Sequence, residues 1–106
     1  MKSIDIDGVI TASGFRDRLL GLMGKRDLSD ARVWFPKCSS VHTCFMLAPI
    51  DIVFLDRDRV VVSLHEEARP WRFFRGARGA DSVLELTAGF ARQRELEAGD
   101  RVQWPD

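Results

Sequence analysis

Residues 50–64, IDIVFLDRDRVVVSL, constrain the fold more than any other stretch of the chain. Two runs rich in β-branched and aromatic side chains flank a polar turn of Asp56, Arg57, Asp58 and Arg59, the pattern of an antiparallel hairpin. Other segments read the same way. Residues 2–11 alternate, Ile4 and Ile6 against Asp5 and Asp7, with a turn at Gly8, and predict a short strand or hairpin. Residues 32–35 predict a brief strand stopped by Pro36, residues 41–46 an extended stretch, and residues 82–86 a further strand. A last strand ends at Trp104. Ser13 is placed to cap an amphipathic helix over residues 15–24, where Phe15, Leu19, Leu22 and Met23 recur at helical spacing. Residues 87–94 predict a second, short helix. Residues 65–81 hold Pro70, Gly76 and Gly79 and predict a long loop with an extended piece around Trp71 to Phe74. Strands dominate, so the expected class is α+β: a compact β-rich domain with a curved or barrel-like, mostly antiparallel sheet and one or two short helices.

The 106 residues are expected to form a single domain, residues 1–106,. Sixteen basic residues balance sixteen acidic ones. Such a chain has no global field to gather polyanions, which argues against a nucleic-acid partner. Acids stand near the start where a signal peptide needs an apolar run, and no apolar stretch approaches membrane-spanning length. The expectation is a cytoplasmic domain without a transmembrane segment, its two cysteines present as thiols.

Four landmarks occur in order: Arg18, Gly21, Leu22 and Met23; Pro49, Ile50 and Asp51; Val83, Leu84 and Glu85 with Ala88 and Gly89; and Gly99, Asp100 and Val102. With them the chain resembles, over most of its length, the family known as domain of unknown function 192. That resemblance implies a compact β-rich domain decorated by short helices and no established activity. Many members carry export signals or lipid anchors. One segment departs from the common form. His42, Thr43 and Met46 are similar to a branch with His-Thr-x-x-Met, and Cys44 stands where that branch has an aromatic residue.

The soft and reactive side chains concentrate between Cys38 and Asp56. If residues 41–46 are extended, His42, Cys44 and Met46 share one face. With Cys38 from the preceding turn, they form an alternative copper or zinc site, set against the ordinary burial of cysteine and methionine in cores. A second alternative is a small enzyme that uses His42 with Cys38 or with an acid. Asp51 lies inside an apolar strand and must face solvent or find partners, main-chain N–H groups being the expected ones. Glu85 poses the same question, and convergence of Asp51, Glu85 and His42 would make an acid–base site. Arg69, Arg72, Arg75 and Arg78 surround Trp71, Phe73 and Phe74 in the long loop. The leading expectation is a binding or accessory domain without a cofactor. Its small ligand or protein partner is expected around His42, Met46, Asp51, Arg72, Glu85 and the loop of residues 69–78.

Overall fold

A computed structural model of the chain describes residues 2–12, 31–43 and 47–105. The helix expected over residues 15–24, and Cys44 and Met46, lie outside the described residues. Within them the elements run β1 (Ser3–Asp5), β2 (Ile10–Thr11), β3 (Arg32–Phe35), β4 (Ser40–His42), β5 (Ile50–Leu55), β6 (Val61–Ala68), β7 (Phe73–Arg75), β8 (Ser82–Thr87), α1 (Phe90–Gln93) and β9 (Arg101–Gln103). Five strands form the main sheet in the order β2-β3-β8-β5-β6, antiparallel except where β2 meets β3. Two short pairs flank it, β1 parallel to β9 and β4 antiparallel to β7.

The hairpin forms as the apolar runs require. Strand β5 lies between β8 and β6 and all six of its residues are buried, the pattern of a strand covered on both faces. Because side chains alternate, Val53 and Leu55 enter one core with Ile4, Ile6, Leu84, Leu86, Val102 and Trp104. Ile50, Ile52 and Phe54 enter a second core on the opposite face, with Phe35 and Val83. The β4–β7 ribbon packs over that second core through Val41 and Phe74. Gly76, just beyond β7, allows the close approach: a Cβ there would stand 2.7 Å from the Phe54 ring.

Three details differ from the expectations. Residues 2–11 do not close a hairpin, because β1 pairs with β9 and β2 with β3, in separate sheets. Residues 65–68, expected in a loop, continue β6. As an edge strand β6 tolerates the exposed Glu66 and Glu67 that make the stretch read as polar,. The main sheet is open among the described residues, with β2 and β6 at its ends, and is not a closed barrel. No helix among the described residues is long and apolar enough to cross a membrane.

Candidate functional site

Asp51 is fully buried within β5. Its neighbours Ile50 and Ile52 pair with Ala68 and His65, so β6 carries one extra residue opposite it. This bulge turns Glu67 into the left-handed region, φ 50°, and Glu67 N–H donates to Asp51 Oδ1 at 2.8 Å. Asp51 Oδ2 accepts Ala91 N–H at 2.9 Å. That N–H belongs to the first turn of α1, where main-chain donors lack helical partners, and the helix's own cap, Gly89, has no side chain to offer. One carboxylate thus ties the bulged strand to the start of the helix, the structural role open to an acid in this place.

Glu85 on β8 pairs with Ile52 and shares its face, whereas Asp51 pairs with Leu86 and faces the other core. The sheet stands between the two carboxylates. Burial pushes the Glu85 carboxyl up to about 7, because desolvation disfavours its charged form. His42 is remote from both in another sense. On the ribbon, Val41 and Phe74 turn inward, while His42 and its register partner Phe73 are exposed on the outer face with their rings 6.0 Å apart. Asp51, Glu85 and His42 therefore do not converge.

The loop that follows β6 is organised by Thr43, which is 1% exposed. Its hydroxyl donates to Arg69 C=O at 2.6 Å and accepts Arg72 N–H at 2.9 Å. Its main-chain N–H donates to Arg72 C=O, and its C=O accepts Trp71 N–H. These bonds hold Trp71 at φ 62°, and the residue is 57% exposed, with Phe73 two positions on at 82%. Large apolar side chains held in solvent mark contact surfaces when they sit together.

Beside this loop, along the outer edge of β6, lies an open groove of about 670 Å³. Its walls include Arg69, Arg72, Phe73 and Phe74 from the loop and β7, Leu64, His65, Glu66 and Glu67 from β6, and Arg92 from α1. The His65 ring packs 4.9 Å from Phe74 and edge-on to Phe54 at 5.9 Å. Its Nε2 is buried and has no hydrogen-bond partner among the described residues. His42 lines a separate hollow of about 330 Å³, which Phe73 and Phe74 also border.

Among the candidates read from the sequence, Arg72 reaches the groove and His42 the hollow beside it, Asp51 and Glu85 are interior, and Met46 lies outside the described residues. Cys38 packs against the second core and donates its thiol to Ser40 C=O at 2.9 Å, away from the outward-facing His42. Among the described residues no three His, Cys, Asp or Glu side chains gather as metal ligands. Thr43, His65 and Arg92 belong to the site, although the sequence alone assigns them no role. The His-Thr pair was a signal for Thr43, whereas no alternation in the sequence singles out His65.

A family profile, DUF192, described as Uncharacterized ACR, matches residues 3–104. A UPF0127 protein of Thermococcus sibiricus is 37% identical over 98 residues, 88% of this chain and 63% of its own length. The chain thus spans less than two thirds of that relative. A UPF0127 protein of Pyrococcus furiosus is 35% identical over 107 residues, 97% of this chain and 90% of its own. Among solved structures, a protein of unknown function from Novosphingobium aromaticivorans superposes with a TM-score of 0.80 at 26% identity, covering 91% of this chain and 74% of that one.

Proposed function

The chain belongs to the DUF192 family, which has no established catalytic activity, and from that premise we propose that it is a binding module taking an anionic ligand in the groove beside β6. The observation that carries the reading is the groove's charge. Arg69, Arg72 and Arg92 line it, and residues 69–78 contain four arginines and no acid. Guanidinium groups offer fixed forks of donors to carboxylate or phosphate. Glu66, 3.9 Å from Arg92, and Glu67 also line the groove and offset part of the charge in its middle. Net neutrality of the chain does not oppose this, since the field that matters to a bound anion acts within about 10 Å at ordinary salt.

His42 belongs to the same proposal as a group at the neighbouring hollow, and buried Asp51 and Glu85 as parts of the scaffold; Met46, outside the described residues, stays a candidate from the sequence alone. A cytoplasmic location is part of the same proposal, and cell fractionation tests it. The groove is tested by titrating ¹⁵N-labelled protein with citrate. Amides of residues 64–73 are expected to shift, and R69A/R72A to weaken binding by about tenfold or more, the value of one to two charge-assisted hydrogen bonds. An unshifted groove at saturating citrate sinks the proposal. His42→Ala should keep the amide spectrum of the fold, since the ring is exposed.

A further inference from the structure

We infer that the outer edge of β6 is a strand-docking site, at which an extended segment of a partner protein adds to the main sheet and presents carboxylates at one end to Arg69 and Arg72. The inference rests on the groove reading above and names its occupant.

Strand β6 is the last in its sheet and eight residues long. Among the described residues, its only main-chain hydrogen bonds to segments other than β5 are those of Val61 with Gly99 and Asp100. An edge of this kind presents N–H and C=O groups that another strand can satisfy. The groove lies where that addition would occur. Its lining takes His65 from the side of the second core and Leu64 and Glu66 from the side of the first. The open space therefore runs over the edge itself and not above one face.

Chemistry gives the occupant a direction. The positive end is at Arg69 and Arg72, immediately after β6, whereas the middle holds Glu66 beside Arg92. Phe73, 82% exposed, supplies an apolar wall at the same positive end. The bulge takes Glu67 N–H to Asp51, so pairing is expected along residues 64–66. A nucleic acid or an anionic lipid would answer the arginines but offers no ladder of main-chain groups to the edge, and this favours a polypeptide.

The test is selection of a randomised nonapeptide display library on the full chain, with counter-selection on R69E/R72E, then NMR titration of the recovered peptides. These are expected to alternate β-branched residues and to carry Asp or Glu at one end. They should slow exchange of the amides among residues 64–66 that point away from β5,, and N-methylation of alternate peptide nitrogens should weaken them about tenfold or more, since each removes a main-chain donor. Recovery of no peptide above the double variant overturns the proposal, as does a peptide that binds equally well when N-methylated. Slowed exchange that grows with protein concentration in the absence of peptide makes a second copy of the chain the occupant and also overturns it. Tighter engagement of the arginines by single-stranded oligonucleotide or phosphatidylserine vesicles than by any peptide overturns it too. Citrate shifts that persist while every peptide fails retain the anion groove and remove only the added strand.

Discussion

Two buried carboxylates one register step apart have opposite relations to their surroundings. Asp51 accepts a main-chain N–H on each oxygen, so Asp51→Ala leaves two main-chain donors unpaired, that of Ala91 buried and that of Glu67 partly so. Each such donor costs about 1–3 kcal/mol, and urea unfolding should show a loss of about 2–4 kcal/mol, with the amide of Ala91 losing its protection. Glu85 is raised by burial from 4.5 to about 7. A carboxyl raised in the native state favours folding while protonated. Its contribution is complete below pH 4.5 and is lost as the pH rises through 7, roughly 3 kcal/mol in all. Glu85→Gln keeps the neutral shape, so variant minus wild-type stability should climb between pH 4.5 and 8; a flat difference would refute the burial argument. The difference is the quantity to measure because Asp100, held below the ordinary carboxylate range by Lys2, loses its own contribution as the pH falls.

At the scale of elements, Thr43 organises the loop after β6 through partners 26 and 29 residues away. Thr43→Val preserves the shape of the side chain but removes the hydroxyl from Arg69 C=O and Arg72 N–H. Faster hydrogen exchange over residues 69–72 and a stability loss of about 1–3 kcal/mol are expected, together with weaker citrate binding, although Thr43 does not line the groove. That distance in sequence is also why its role was not legible. A hydroxyl just beyond a short strand carries no local sign of which main-chain groups will reach it. The β5–β6 hairpin and β8 were legible because strands covered on both faces leave continuous apolar runs. The end of β6 was not, because His65, Glu66 and Glu67 lie where an edge strand meets solvent. The pairing of β1 with β9 joins residues such as Ser3 and Arg101, beyond any local pattern. Within the site, the arginine loop could be read and its Arg72 reaches the groove, while Arg92 arrives from a helix predicted without a function.

Across the molecule, the main sheet separates two apolar cores and, among the described residues, leaves β6 as a long open edge. Glu66 and Glu67, exposed on that edge, guard it against pairing with a second copy, as charges on edge strands commonly do,. E66Q/E67Q, which removes the charges without placing a β-branched residue at the left-handed Glu67,, should accordingly self-associate at concentrations where the parent chain does not, a difference that sedimentation velocity would detect; unchanged sedimentation would show that the charges have no guarding role. The bulge beside these residues has a further consequence, for how the chain folds. Antiparallel strands as apolar as β5 and β6 can pair one step out of place, and each step moves every side chain to the wrong face. In such a mispaired hairpin the Asp51 side chain would be buried without the Glu67 donor, the cost of an unsatisfied buried polar group. The same aspartate that joins strand to helix in the finished structure therefore also favours the native alignment of β5 on β6 over its one-step neighbours,.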